Sequence, residues 1–185
     1  MTTPTQRQRL AQGGRLAGVV LLLLSLGCGD TKPLTPQAQA FRTQVKSVLS
    51  RLADPLAGPV SQENPAAVQK VLVRLFHLCA ADCDDLVTRV VVLDRDGLTI
   101  SFYPPEKNPE WRFADYEVVR RAIATKKPTQ GVLYRPDSTA IYAVSAPLLV
   151  QNEVQGVMVL IMERDKVQKQ KGLQEEDFLK LNFSD

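Results

Sequence analysis

The residues of this sequence whose types and spacing could do chemistry are its cysteines, its single histidine and a group of aspartates. His77, Cys79, Cys83, Asp84 and Asp85 lie close together in the chain. Their spacing matches no zinc-ligand pattern, and there is no Cys-x-x-Cys-His haem attachment motif. In an oxidising compartment the pair is read as a local disulfide, Cys79 to Cys83. Four-residue spacing is awkward inside a regular helix, so such a bridge requires the helix to end within Ala80-Ala81-Asp82. His77 sits beside an apolar helical stripe and reads as structural. As the only histidine, it leaves no histidine-centred nucleophilic triad to assemble, and the acidic residues show no paired-carboxylate pattern. The chain is therefore read as a non-enzyme with no metal and no cofactor. Asp94-Arg95-Asp96-Gly97 could begin a calcium loop, but Leu98 stands where a third oxygen ligand is needed and no glutamate closes the loop. It reads as a turn.

The third cysteine, Cys28, ends a different pattern. Arg7, Arg9 and Arg15 precede a run from Leu16 to Leu26 that carries no charge, followed by Gly27-Cys28. That is the layout of a secretory signal peptide. Eleven residues at about 1.5 Å each fall well short of a hydrocarbon core of roughly 30 Å, so the run is a poor membrane-spanning helix. Leu24-Ser25-Leu26-Gly27-Cys28 resembles a lipobox, with Ser25 in the place where leucine is commonest. The resemblance implies cleavage before Cys28 and acylation of its thiol. Each buried methylene adds about 0.8 kcal/mol, so several acyl chains on Cys28 would anchor the protein to the membrane durably. Residues 28–36 then form a short polar, proline-containing tether.

Removing residues 1–27 leaves 158, enough for one domain. The formal charge of +3 comes from 23 basic and 20 acidic residues, and Arg7, Arg9 and Arg15 account for all of the excess. The remainder is near neutral, so nucleic-acid binding has no bulk electrostatic support. From Gln37 to Ala53, apolar Phe41, Val45, Val48, Leu49 and Leu52 recur at helical spacing, with Asp54-Pro55 and Gly58-Pro59 expected to end the helix. A second helix follows Asn64-Pro65, with Asn64 as cap and Pro65 at the first helical position. The pattern then turns extended. Leu86–Asp94 and Leu98–Tyr103 read as a hairpin, followed by a long segment from Pro104 to Phe113, a short helix over about 115–125, and strands near 129–135, 140–147 and 154–163. The charged end, 166–185, is expected to be partly helical and to lie outside the domain of residues 37–165.

This order resembles a single Cache domain, the PAS-like extracellular sensor module of chemoreceptors and sensor kinases. Val91-Val92-Leu93-Asp94-Arg95-Asp96-Gly97 is similar to its first hairpin. Ala122-Ile123-Ala124-Thr125-Lys126-Lys127-Pro128 is similar to the helix and entry to the third strand. Ala143-Val144-Ser145-Ala146-Pro147-Leu148, followed by Val154-Gln155-Gly156-Val157-Met158-Val159, is similar to the closing pair. The resemblance implies an α+β fold: a five-stranded antiparallel sheet with N-terminal helices on one face and a loop-helix lid on the other. It also implies a small-solute pocket beneath that lid. Trp111, Arg112, Tyr116 and Arg120 would come from the lid, and Tyr134, Arg135, Tyr142 and Ser145 from the strands, with Asp137 in the adjoining turn. Arginines beside aromatic walls suit a carboxylate. The amino-acid signature of double Cache domains is not reproduced by Trp111-Arg112-Phe113, so no amino acid is assigned.

These readings combine into an expectation of a lipid-anchored, extracytoplasmic lipoprotein of the cell envelope that binds a small molecule and passes its state to an envelope protein partner, because a chain ending soon after the last strand carries no output domain of its own. The alternative is a structural or assembly lipoprotein that works through protein contacts alone.

Overall fold

The computed structural model describes residues 33–105, 112–135 and 138–184; Cys28, Trp111 and Asp137 lie outside the described residues. Two helices come first, α1 (Pro36–Ser61) and α2 (Pro65–Asp82). The Thr35 hydroxyl accepts from the Ala38 N–H at 3.2 Å and Asn64 Oδ1 from the Ala67 N–H at 3.0 Å, each followed by proline at the first helical position. The expected stop at Pro55 does not occur, because α1 runs through Pro55 and Pro59 to Ser61. An interior proline costs a helix about 3 kcal/mol. Here Leu56, Ala57 and Val60 continue the buried stripe beyond Leu52, and a fully buried Leu or Val contributes about 1.5–3 kcal/mol.

The sheet follows as β1 (Val87–Asp94), β2 (Thr99–Tyr103), β3 (Thr129–Tyr134), β4 (Ala140–Val150) and β5 (Glu153–Glu163), with α3 (Glu117–Thr125) between β2 and β3. Spatial order is β2-β1-β5-β4-β3, with every neighbour antiparallel. β4 passes through Pro147, where the sequence pattern suggested an end. Its pairing with β3 stops at Thr129 opposite Ser145, so beyond that point β4 has a free edge that tolerates a residue without an N–H.

Side-chain alternation gives the sheet two cores. Val90, Val92, Tyr142, Val144, Leu148, Met158 and Leu160 pack against α1 and α2, whereas Val91, Leu93, Ile141, Ala143, Val157, Val159 and Ile161 pack against α3 and Phe113. The chain then closes with α4 (Arg164–Lys171) and α5 (Glu175–Leu179). These are no appendage: Leu173, Phe178, Leu181 and Phe183 are buried in the core on the α1 side. The domain boundary expected at 165 therefore moves to the end of the described chain. Among the described residues, no helix is long and apolar enough to cross a membrane.

Candidate functional site

One row of paired residues crosses the sheet beneath the lid: Thr129, Ser145, Val159, Val91 and Phe102, on strands β3, β4, β5, β1 and β2. Directly paired antiparallel residues share a face, and Val91 and Val159 place this row on the α3 side. Thr129 Oγ1 donates to the Val118 carbonyl of α3 at 2.6 Å, tying the lid helix to the sheet. Gly131, one pleat along, lets α3 settle close, since a Cβ there would meet Val118 Cβ at 3.3 Å. At the other end of the lid, Gly97 adopts φ +80 at the β1–β2 tip, where a Cβ would come within 2.8 Å of Ala114 Cα. That close approach seats the 3₁₀ turn Phe113–Asp115, which leads into α3.

Ser145 is fully buried in this floor, and its Oγ has no hydrogen-bond partner among the described residues. The next row on the same face is Gly131, Ala143, Ile161 and Arg89. Arg89 carries a buried Nε on an otherwise apolar surface. Besides Thr129, whose hydroxyl is engaged with α3, two polar groups, one a permanent cation, thus stand on the lid side of a sheet floored by valine, alanine and isoleucine. This arrangement can hold an anion at Arg89 and a hydrogen-bonding group at Ser145.

The expected site residues divide. Ser145 lies on the lid face, and Tyr116 is half-buried at the start of α3, its ring centroid 6.0 Å from that of Phe113. Arg112 turns to solvent with its side chain 87% exposed, pairing with Asp115 at 3.4 Å. Arg120 is exposed, and Arg135 is half-buried at the end of β3. Tyr134 is 59% exposed and shares the parity of Val132, which packs on the α1 side. Tyr142 is also on that opposite face, stacked on Phe178, with its hydroxyl accepting from Gln168 Nε2 at 3.3 Å. Burial raises the Tyr142 phenol above its usual pKa. Tyr134 and Tyr142 are therefore removed from the lid-side set by strand parity, and Arg112 by its exposure.

Sequence reasoning passed over Arg89. It stands as a lone cation beside the apolar run Val90-Val91-Val92-Leu93 of β1, and that contrast was the available signal. A register shift between Val87 and Arg89 hides the face it takes. Also unforeseen is a cavity of about 420 Å³ between the α1–α2 turn and the β1–β2 hairpin, lined by Val60, Glu63, Asp94, Asp96 and Gln155 among others. Asp94 Oδ1 there accepts from the backbone N–H groups of Asp96 and Leu98 at 2.9 and 2.8 Å, so this carboxylate is engaged in holding the turn.

The expected disulfide is not formed. α2 continues through Ala80-Ala81-Asp82, and Cys79 and Cys83 are free buried thiols. α2 ends only at Asp82, so Cys79 lies in its last turn and Cys83 is the C-cap residue that follows it, whereas a bridge needs the two Cβ atoms to converge to about 3.8 Å. Burial raises both thiol pKa values. Cys83 is pushed up to about 12, mainly by burial and further by the Asp82 and Asp84 carboxylates.

No protein-family model matches this chain, and no curated protein matches its sequence. Solved structures do. The ligand-binding domain of the Pseudomonas fluorescens chemoreceptor CtaA in complex with L-isoleucine superposes with a TM-score of 0.55 at 13% identity, covering 72% of this chain and 54% of that one. The ligand-binding domain of the Pseudomonas aeruginosa PAO1 amino acid chemoreceptor PctB in complex with L-Arg gives 0.51 at 15% identity, with 72% and 57% covered. The extracellular domain of the histidine kinase vpHK1S-Z8 gives 0.58 at 13% identity, with 76% and 57% covered. This chain therefore spans little more than half the length of those domains. At such identities the likeness is one of fold: the described domain has the Cache-like α+β architecture of extracellular ligand-binding sensor domains.

Proposed function

We propose that this chain is an extracytoplasmic sensory lipoprotein, held to a membrane by lipid on Cys28, that binds a small carboxylate beneath its lid and passes its ligand state to an envelope protein. The observation that carries the reading is the lid face of the sheet. It buries the Ser145 hydroxyl, which has no hydrogen-bond partner among the described residues, in an apolar floor that also carries the Arg89 side chain, on a fold shared with ligand-binding sensor domains. Leu24-Ser25-Leu26-Gly27-Cys28 supports the anchor. A lipid anchor reaches one leaflet only, so the ligand state passes on through protein contact. The reading is one of binding, and His77, the sole histidine, packs on α2 against Phe76 and Tyr103, with Nε2 3.5 Å from the Tyr103 hydroxyl.

A thermal-shift screen of the full chain against small carboxylates, amino acids included, tests this reading. A ligand present at a hundred times its Kd stabilises by about 2.7 kcal/mol, which raises Tm by roughly 5–10 °C in a chain of this size. A broad library that shifts nothing would refute it.

A further inference from the structure

Beyond α4 the chain is held as a docked peptide is held, by apolar anchors and by side chains that reach its carbonyls. Gly172 ends α4 at φ +63, with open space where a Cβ would stand. After it, Leu173, Phe178, Leu181 and Phe183 are each no more than 2% exposed. Phe178 stacks on Tyr142 of β4 with ring centroids 4.0 Å apart, and meets Phe41 of α1 edge-on at 6.4 Å. From α1, Arg42 Nε donates to the Asn182 carbonyl and Lys46 Nζ to that of Ser184 at 3.3 Å. From β3, Gln130 Nε2 donates to the Leu179 carbonyl at 2.9 Å and to that of Leu181. α1 and the edge strand β3 are thus two walls of a groove with Tyr142 in its floor. All four bonds run from groove side chains to main-chain carbonyls.

Recognition of this kind reads a pattern of anchors, Phe-x-x-Leu-x-Phe, and is indifferent to which chain supplies it. We propose that the groove between α1 and β3 is a docking surface for a segment of that pattern, filled at rest by the chain's own residues 173–184 and open to the same segment of a second copy. That segment is the sequence whose fit to the groove is in view, and exchanging an identical element preserves its contacts. Gly172 supplies an unobstructed hinge. The proposal stands apart from the ligand-binding reading and does not depend on it.

Fluorescence anisotropy of a labelled peptide of residues 172–184 tests it, against the full chain and its Phe178→Ala variant. In the unaltered chain the tethered segment competes at an effective concentration on the order of millimolar. The substitution removes the central anchor from the tethered copy alone. The peptide is expected to bind the variant at least about tenfold more tightly than the unaltered chain. Unlabelled peptide should displace it, and a peptide carrying the same substitution should not. A folded variant that captures no peptide overturns the proposal. If the variant loses its fold by circular dichroism, hydrogen exchange of the unaltered chain decides. Amides of 173–184 that open separately from the sheet support the groove, and amides that open only with the whole domain overturn it. Peptide capture with no self-association of the unaltered chain in sedimentation at rising concentration overturns the second-copy assignment.

Discussion

A buried hydroxyl with no partner, as that of Ser145 is among the described residues, costs about 1–3 kcal/mol until something bonds it. Ser145→Ala is therefore expected to stabilise the ligand-free chain by about 1 kcal/mol in urea unfolding while weakening ligand binding. Destabilisation of the ligand-free chain would show that the hydroxyl already has a structural bond. Cys83 gives a second expectation at this scale. Below its ordinary pKa of 9.0 the thiol is protonated whether the chain is folded or not. Between 9.0 and about 12 the unfolded chain releases the proton while the folded chain keeps it, so stability falls as pH rises through that window. Cys83→Ala should show a smaller loss of Tm between pH 9 and 11 than the unaltered chain, and an equal loss would contradict the assignment. Why single residues were hard to place from sequence is also visible here. Alternation pairs Tyr142 with Val144 and Tyr134 with Val132 but does not say which face meets the lid, and the shift beside Thr88 conceals Arg89.

Elements were more legible where local chemistry and packing agreed. Asn64-Pro65 starts α2, Asp94 and Gly97 make the β1–β2 turn, and the Val- and Leu-rich runs pair as strands. They were less legible where packing overrides local preference. Burial of Leu56 and Val60 carries α1 through two prolines, and burial of Phe178 turns a charged tail into part of the core. Tertiary burial of this kind leaves no signal in a local window. Gly156 shows how closely the elements are fitted. A Cβ there would lie 2.3 Å from the Leu93 carbonyl oxygen and 2.8 Å from Val60 Cγ1, and the oxygen belongs to the paired strand and cannot yield alone. Gly156→Ala is expected to cost at least about 2 kcal/mol in urea unfolding. A cost under about 0.5 kcal/mol would mean that β5 and the end of α1 do not approach so closely.

At the scale of the molecule, fold and attachment are separate claims with separate tests. The fold is that of extracellular sensor domains, and its order of helices and strands could be read from periodicity before any coordinates. The anchor rests on Leu24-Ser25-Leu26-Gly27-Cys28. Cys28→Ser is expected to abolish incorporation of labelled fatty acid and release the protein from membranes, whereas continued labelling would contradict lipid attachment at that cysteine. The central claim is that the lid face of the sheet binds a small carboxylate through Arg89 and Ser145. The melting temperatures of the unaltered chain and of Arg89→Met across a library of small carboxylates measure it most directly. The account predicts a ligand that raises Tm of the unaltered chain by roughly 5–10 °C and raises that of the variant far less. A library without effect, or a variant that responds as strongly as the unaltered chain, would contradict it.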